Sequence, residues 1–312
     1  MRRALHTRRC GAILLFVFIQ GKSLPLDYSR FVEAENNHAE TGIYISRSCT
    51  PTSLSDTCSQ LELLTTPLGD SLTLFTEKIC SFRENSIVVY PLNIAGINEG
   101  STFFWSYQLL SWSIENLLAL SSERFPTQSY ADSDIWLEFG VAEGDSIKLT
   151  ATIQAKISSD PIHIFGFDWF NGLPEVWENT LEQGHFSNNG NPPQDLPDNV
   201  YIVKGLFNQT LNAFLHQLEP QRARIGFVNI DCDLYSSALY VLKGIITYMR
   251  KGSIMHFHEF MRYPSETDGC RGHDELRALY SLLQEDKSTD GIKLEILPYK
   301  GGNTEAVIFR VL

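Results

Sequence analysis

Two short apolar runs in the second half of the chain end in side chains that can bind a metal ion or move a proton. The first run is 225–230 and the second is 253–257, and both read as buried strands. The polar side chains at their ends are Asp231, Asp233, His256, His258 and Glu259. If the two runs are neighbouring parallel strands, these groups face one another across one cleft. Carboxylates favour Mg or Mn, and an imidazole shifts the preference towards Mn, Fe or Zn. The candidate metal ligands are therefore Asp231 or Asp233, together with His258 and Glu259.

Each of these side chains also has a purely structural interpretation. Asp233 stands where it could cap a following helix. We favour His256 as a hydrogen-bonded histidine of the core, whereas His258 and Glu259 are equally compatible with an ordinary loop. As a general base, the candidates are His256, His258 if it holds no metal, and His273.

A glycine-containing turn and an aspartate follow the first two predicted strands of the same region. Gly140 and Gly144 come after the run 135–139 with a GxxxG spacing, not the GxGxxG that cradles a pyrophosphate. Asp168 ends the run 162–167, where a carboxylate can accept both hydroxyls of a ribose. A glycine turn is often only a turn, and an aspartate there often caps a helix. Together, in this order, the two features favour a ligand that contains a nucleoside.

The elements that position these residues alternate between strands and helices. Strands are predicted at 135–139, 162–167, 200–204, 225–230 and 253–257, with helices ending at 157 and spanning 236–250 and 273–283. Two further strands, 294–297 and 306–311, form a terminal hairpin around the turn 300–303. The alternation predicts an α/β fold with a mainly parallel sheet and one antiparallel edge. Apolar spacing over 104–124 predicts a further helix packed on this domain.

Composition and charge exclude several classes of protein. The chain has 312 residues, 43% of them hydrophobic, which excludes disorder along the whole length. Acidic residues outnumber basic ones by 37 to 25, for a formal net charge of −12. Nucleic acid is therefore not expected as a partner, because phosphate binding needs a basic surface.

The N-terminal 23 residues have the pattern of a signal peptide. They combine five basic residues and no acidic one with an apolar stretch over 11–19 and small residues at Gly21 and Ser23. We expect the secretory pathway or secretion. A signal anchor or an organelle transit peptide is the alternative, and a membrane is a partner only if the segment is an uncleaved anchor. The expected organisation is thus 1–23 for targeting, 24–103 without an assigned role, and a domain over 104–312.

Cysteine usage agrees with the secretory route without fixing any pairing. Cys10 lies in the targeting segment, and five cysteines remain, so at least one thiol is free or pairs between chains. Cys49 and Cys58 form the easiest local bridge, while isolated buried thiols are the alternative.

Four segments of the chain resemble a known family. They are 136–146 (WLEFGVAEGDS), 165–177 (FGFDWFNGLPEVW), 203–211 (VKGLFNQTL) and 230–237 (IDCDLYSS). These segments are similar to the macrocin O-methyltransferase (TylF-like) family, which consists of class I S-adenosylmethionine-dependent methyltransferases. The resemblance covers about residues 130–312, and its most specific segment is the second one.

The resemblance implies a Rossmann-like fold with a seven-stranded, mostly parallel sheet, one antiparallel terminal strand and helices on both faces. It also implies that the cofactor-binding residues are Glu138, Gly140, Gly144 and Ser146 on the methionine side, Asp168 at the ribose, and Gly205, Leu206 and Phe207 at the adenine. Metal-dependent members use an Asp of the DxDxY stretch and an Asp-Asp pair, where this chain has Asp231 and His258-Glu259. A divalent cation, Mg or Mn, is therefore one option and a metal-free enzyme is the other.

The function that follows is methyl transfer from S-adenosylmethionine to a hydroxyl of a small molecule or glycan. Two alternatives stay open. One is a methyltransferase fold that binds a ligand in the secretory pathway without turnover, which the histidine at position 258 would allow. The other is a nicotinamide oxidoreductase, which is less favoured because the chain lacks GxGxxG.

Overall fold

The computed structural model describes residues 42–46, 61–65, 71–85, 110, 113–114, 134–157, 161–178, 181–218, 223–262, 270–286, 291–297 and 305–312. The predicted targeting segment, the pair Cys49 and Cys58, and the turn 300–303 lie outside these residues. Within them, no helix combines the length and the apolar character that crossing a bilayer requires.

Eleven strands and five α-helices are found in the described residues. The strands are β1 (Gly42–Ser46), β2 (Leu61–Thr65), β3 (Asp134–Phe139), β4 (His163–Asp168), β5 (Val200–Lys204), β6 (Arg224–Ile230), β7 (Met249–Phe257), β8 (Met261–Arg262), β9 (Arg271–Gly272), β10 (Lys293–Ile296) and β11 (Val307–Val311). The helices are α1 (Leu72–Asn85), α2 (Asp145–Ile157), α3 (Phe207–Leu218), α4 (Tyr235–Ile245) and α5 (Asp274–Glu285).

The central sheet confirms the predicted fold class. Its strand order is β2-β1-β10-β11-β7-β6-β3-β4-β5. Strands β7, β6, β3, β4 and β5 are parallel to one another, and β11 is antiparallel to both of its neighbours. The seven strands from β10 to β5 are those that the sequence predicts. The predicted antiparallel edge is wrong, because β10, β1 and β2 continue the sheet beyond β11 and place β11 in the interior. The order reverses at β3, so its carboxyl end and those of its neighbours form the crevice where open α/β sheets bind ligands.

Both faces of the sheet are buried, as the continuous apolar strands predict. All six residues of β3 are buried. Ile135, Leu137 and Phe139 pack into one core and Trp136 into the other, because successive side chains of a strand point to opposite faces. Within the predicted helix 104–124, the described residues Leu110, Ser113 and Ile114 are helical and buried, and the two apolar ones belong to the same core as Trp136.

One predicted helix is shorter than expected. Helix α4 ends at Ile245, a 3-10 turn follows, and β7 begins at Met249. The predicted helix 236–250 is therefore wrong at its end. Arg250 extends from the start of β7 to form an ion pair with the buried Asp134 of β3, and Met249 pairs with Ile225 in the sheet. These strand contacts outweigh the apolar spacing that favoured a longer helix.

Part of the region without an assigned role belongs to the same sheet and core. Strand β1 pairs in parallel with β10, and β2 pairs with β1, so the sheet has nine strands. Phe75 and Ile79 of α1 are fully buried in the main core. A disulfide joins Cys80 of α1 to Cys270, which lies just before β9. This pairing was not predicted, and within the described residues Cys232 is the free cysteine.

Candidate active site

A cavity of about 490 Å³ lies at the carboxyl ends of the central strands. Its lining combines residues that follow β3, β4, β5, β6 and β7, which are five neighbouring parallel strands. The cofactor-binding residues predicted from the sequence that line it are Gly140, Asp168, Gly205, Leu206 and Phe207. The predicted metal ligands Asp231, His258 and Glu259 line it as well. The volume lies within the range of small-molecule sites.

The turn after β3 fits its position only with a glycine. Gly140 has φ +87°, and a Cβ atom there would lie 1.9 Å from the backbone oxygen of Asp231. The N–H of Gly140 donates to the oxygen of Phe167 at 3.0 Å, and the N–H of Asp231 donates to the oxygen of Phe139 at 2.9 Å. The ends of three adjacent strands are thereby fixed to one another beneath the cavity.

Asp168 binds to the same turn. Its Oδ2 accepts hydrogen bonds from the backbone N–H groups of Val141 and Ala142, both at 2.9 Å, and its Oδ1 accepts one from Phe170 at 2.7 Å. Among the described residues between β4 and β5 no helix is found, and Asp168 bonds to a turn, so the helix-cap interpretation of Asp168 is wrong. The carboxylate orders the turn at Gly140 and also lines the cavity. A carboxylate has about four acceptor positions, so an acceptor position is left for a ligand hydroxyl.

Three residues predicted on the methionine side do not line the cavity. Glu138 is 1% exposed, and its Oε1 accepts from the hydroxyl of Ser146 at 2.7 Å. Its Oε2 accepts from the side-chain amide of Asn229 at 3.2 Å. Gly144 closes the turn through a bond from its N–H to Val141 at 2.8 Å. Burial raises the pKa of Glu138 to about 8, so this carboxyl group is protonated at neutral pH. These residues support the floor of the cavity.

His256 continues this buried network and is no candidate base. Its Nδ1 lies 2.7 Å from Oδ1 of Asn229, and because the amide nitrogen of Asn229 faces Glu138, Nδ1 must carry the proton. The residue is fully buried, and burial holds the pKa of His256 well below its usual value. The structure matches the interpretation of His256 as a core histidine. Asn229, which joins it to Glu138, was missed because an amide within an apolar strand carries no spacing signal.

His273 also lies away from the cavity lining. It is 3% exposed and stands between two glutamates, with Nε2 at 3.2 Å from Glu305 and Nδ1 at 3.3 Å from Glu178. Burial alone would lower the pKa of His273, but these carboxylates and Glu259 outweigh it and raise the pKa. The charged imidazole of His273 therefore joins three segments of the chain, and it does not reach the cavity to act as a base.

The other end of the cavity is a cluster of carboxylates around one imidazole. Nδ1 of His258 lies 3.3 Å from Oδ1 of Asp231. Burial alone would lower the pKa of His258, but Asp231, Glu259 and Glu275 outweigh it and raise the pKa to about 10. Burial, and then Asp231, raise the pKa of Glu259 to about 7 and that of Asp233 well above its usual value. The cluster therefore holds protons at neutral pH.

Asp233 is not a helix cap. The residue before α4 is Leu234, and no side chain caps the helix there. Asp233 instead lines the cavity with φ +59°, a conformation that Asp tolerates better than most residues.

The acidic cluster around His258 contains the oxygen and imidazole groups that bind divalent cations, but these groups are not arranged around a common point where a cation could sit. His258 forms an ion pair with Asp231, and a protonated imidazole has no lone pair for a metal. In the described residues, no three His, Cys, Asp or Glu side chains converge in a way that could hold a metal ion. The residues as arranged do not fit a metal ion, and we derive no step through one.

Glu275 fixes the two loops that carry this cluster. It lies in the first turn of α5 and is fully buried. Its Oε1 accepts from the backbone N–H of Cys232 at 3.0 Å, and its Oε2 accepts from that of Glu259 at 3.2 Å. Its four-residue spacing from Leu279 and Leu283 places Glu275 on the buried face of α5. The alternative interpretation of Glu275, a residue on a solvated helix face, is therefore wrong.

The long connection between β4 and β5 forms one wall of the cavity. Leu173 and Trp177 pack against Leu234 at the start of α4. Glu175 accepts a hydrogen bond from the hydroxyl of Ser236 at 2.5 Å. Trp169 and Phe186 add two aromatic side chains to the lining. The chemical role of these lining residues was not predicted from the sequence.

The chain is similar to a family of domains and, at low identity, to several solved structures. Residues 137–260 match a family model described as a methyltransferase domain. A search of curated proteins finds no match. Among solved structures, the calicheamicin methyltransferase CalS11 is similar, with 22% identity, a TM-score of 0.47 and coverage of 82% of this chain and 99% of that chain.

The O-methyltransferase NovP has 15% identity and a TM-score of 0.43, with coverage of 66% of this chain and 78% of that chain. An O-methyltransferase from Bacillus cereus, solved in complex with SAH, has 16% identity and a TM-score of 0.34, with coverage of 67% and 98%. The domain match and the strand order together make residues 137–260 a methyltransferase domain of the Rossmann-like class, so the expected S-adenosylmethionine-dependent methyltransferase is confirmed at the level of this domain.

Proposed function

We propose that the chain transfers a methyl group from S-adenosylmethionine to a hydroxyl of a small molecule or sugar. The observation that carries this proposal is the single cavity in which the turn at Gly140, the carboxylate of Asp168 and the Asp231–His258 pair meet. The turn at Gly140 and the carboxylate of Asp168 lie where α/β sheets hold a nucleoside. Asp231 follows β6, the neighbour of β3, and His258 follows β7, the next strand, where an acceptor can approach the donor.

The charge of the cavity supports a cationic ligand. Five of its lining residues are carboxylic acids, namely Asp168, Glu175, Asp231, Asp233 and Glu259, and none of the described lining residues is Lys or Arg. Protons held on Asp233 and Glu259 reduce the negative charge, but the other three acids still outnumber the one charged imidazole, His258. A sulfonium ion and an ammonium group carry positive charge, so S-adenosylmethionine complements this lining. An acceptor with phosphate groups would be repelled, which favours a neutral sugar or alcohol.

The bound sulfonium supplies an already activated methyl group, so this chain has to orient the acceptor and receive its proton. Of the three histidines predicted as bases, only His258 lines the cavity. We assign to the Asp231–His258 pair the orientation of the acceptor hydroxyl. The proton released goes to this cluster, in which the pKa of Glu259 is about 7.

The closer family and the location are part of the same proposal. The GFDWFNGLPEVW stretch at residues 166–177 supports membership of the TylF-like family. The basic and apolar N-terminus supports entry into the secretory pathway, and the Cys80–Cys270 disulfide is consistent with an oxidising compartment. Secretion of a full-length fusion with a C-terminal tag, compared with a version lacking residues 1–23, tests this part.

Calorimetry of the full chain with S-adenosylmethionine and S-adenosylhomocysteine tests the donor. The matched variants are Gly140→Ala, which places a Cβ against Asp231, and Gly252→Ala, which strains a similar positive φ of +91° near the other end of β7. We expect binding by the wild type and by Gly252→Ala, and none by Gly140→Ala. A wild type without affinity for either compound contradicts the proposal.

Methyl transfer to a panel of neutral, anionic and amine-containing acceptors tests the reaction, with EDTA and with added Mg or Mn in parallel arms. Neutral hydroxyl acceptors should turn over in EDTA. Turnover that requires added Mg or Mn contradicts the conclusion that Asp231, His258 and Glu259 do not hold a metal ion. Tight donor binding without turnover on any acceptor favours the alternative of a binding protein.

A further inference from the structure

Residues 173–178 form a wall segment against the acceptor end of the cavity, which is the end at Asp231. Two apolar side chains of the wall segment pack against Leu234, and its Glu175 accepts a hydrogen bond from the hydroxyl of Ser236 at 2.5 Å. Leu234 and Ser236 come shortly after Asp231, beyond the end of β6. This part of the connection between β4 and β5 therefore stands at the acceptor end.

Glu178, the last residue of the wall segment, forms ion pairs with two side chains from another part of the chain. Its Oε2 lies 2.7 Å from a guanidinium nitrogen of Arg262, and its Oε1 lies 3.3 Å from Nδ1 of His273. The ring of the preceding Trp177 packs on the imidazole of His273, with ring centroids 5.9 Å apart. Glu178 has φ +49°, a left-handed conformation that is uncommon outside glycine. These contacts thus hold the end of the wall segment in an uncommon conformation.

Arg262 and His273 adjoin the loop that carries Glu259. Arg262 lies in β8, which starts just after this loop and pairs with β9. The N–H of His273 donates to the oxygen of Phe260 at 3.0 Å. Glu259, the residue before Phe260, lines the cavity. Glu178 therefore joins the wall segment to a loop that forms another part of the acceptor end.

The three charged side chains of this contact do not themselves line the cavity. The lining includes three residues of the wall segment, but it includes neither Glu178 nor Arg262 nor His273. The loops after β6 and β7 are held separately, by the buried carboxyl group of Glu275. Removing Glu178 should therefore shift the wall segment without shifting those two loops.

We propose that Glu178 is a positioning residue that sets the width of the acceptor end and so limits the size of the acceptor that the cavity admits. This inference rests on the proposed function and adds a determinant of acceptor size to it. The side chain of Arg262 is 51% exposed, and an exposed ion pair contributes little to stability. Loss of the contact should therefore appear in acceptor binding and not in folding.

Steady-state kinetics of the full chain test the proposal with the neutral hydroxyl acceptor that the wild type methylates best. Glu178→Ala should raise the KM of this acceptor about 3- to 10-fold, with kcat and the affinity for S-adenosylhomocysteine within about 2-fold. Glu178→Gln keeps an oxygen that can accept from Arg262 or His273, so it should recover part of the loss. Glu182→Ala is the matched control, because Glu182 is an exposed acid of the same connection that does not line the cavity, and its KM should stay within about 2-fold.

Arg262→Ala removes the same contact from its other side. It should raise the same KM, and the double variant with Glu178→Ala should show less than the product of the two single effects. Both single variants should fold, because Arg262 is exposed and His273 keeps Glu305 at 3.2 Å when Glu178 is lost.

A second acceptor, enlarged next to the reacting hydroxyl, separates a wider cavity from a less stable fold. The ratio of kcat/KM for the enlarged acceptor to that for the parent should rise at least about 3-fold in Glu178→Ala, whereas a loss of folded protein lowers both values equally. An unchanged KM and an unchanged ratio, with an active wild type, overturn the inference and leave the proposed function intact. Equal losses in donor affinity and acceptor affinity show a general structural role and also overturn it. If the wild type methylates no acceptor, the inference falls together with methyl transfer, and binding of S-adenosylhomocysteine still decides on the donor site.

Discussion

Replacing Asp168 should destabilise the fold and abolish donor binding together, because one carboxylate serves both. The Asp168→Ala variant leaves three backbone N–H donors without their acceptor, those of Val141, Ala142 and Phe170. A hydrogen bond to a charged group contributes about 1.5–3 kcal/mol. Ala142 is exposed, so water replaces part of the loss, and we expect the free energy of unfolding to fall by about 3 kcal/mol.

The Asp168→Asn variant gives a graded result. Its amide oxygen can still accept from Val141 and Ala142, but its NH₂ group then faces the N–H of Phe170, so one hydrogen bond is lost. We expect the free energy of unfolding to fall by about 1–1.5 kcal/mol. Asp198→Ala is the control, because Asp198 is an exposed aspartate in the same connection that does not line the cavity, and it should change stability by less than about 0.5 kcal/mol.

Urea unfolding followed by circular dichroism measures the stabilities, and calorimetry with S-adenosylhomocysteine measures binding. We expect the order wild type, Asp168→Asn, Asp168→Ala in both quantities. The reasoning is refuted if Asp168→Ala unfolds like the wild type and binds the donor with the same affinity. If Asp168→Ala loses stability but binds S-adenosylhomocysteine with unchanged affinity, Asp168 orders the turn but does not contact the ligand.

Three further perturbations follow from the buried groups. Glu138 has a pKa of about 8 in the folded protein against 4.5 in the unfolded chain, so its contribution to stability falls as the pH rises from about 4.5 to 8, by at most about 1.4 kcal/mol per pH unit. Glu138→Gln should flatten this dependence of the free energy of unfolding on pH, measured by urea unfolding. An unchanged pH dependence would contradict the assignment. Glu275→Gln replaces one acceptor oxygen with an NH₂ group that faces a backbone N–H. The rate of methyl transfer should fall at least about 10-fold, while the affinity for S-adenosylmethionine stays within about 2-fold. Equal losses in rate and affinity would show a general structural role. Cys80→Ser should lower stability by about 2–5 kcal/mol, with no further loss in the double variant with Cys270→Ser, and additive losses would exclude the pairing.

The sheet could be predicted because buried parallel strands leave a strong signal. Runs such as 135–139 and 225–230 are apolar throughout, and each strand ends in a polar or glycine residue that marks the edge of the sheet. Strands β1 and β2 were not predicted. They are short and lie far from β10 in sequence, so their pairing depends on contacts that no local pattern encodes.

The sequence predicted site residues correctly only where a chemically suitable side chain directly follows a predicted strand. Asp231 and His258 follow adjacent strands, and the structure brings them within 3.3 Å. Glu138 has a carboxyl group that could bind a ligand, but this group is buried and accepts a hydrogen bond from Asn229 instead of lining the cavity. Whether a side chain at a strand end faces the cavity or the core depends on the exact register, which the sequence does not determine.

A crystal structure of the full chain with bound S-adenosylhomocysteine tests the central claim most directly. We predict the nucleoside in the cavity described here, with the ribose within hydrogen-bonding distance of Asp168 and the amino acid portion beside the turn at Gly140. The donor bound at any other surface, or a cavity between Gly140 and Asp168 closed by packed side chains, would contradict it.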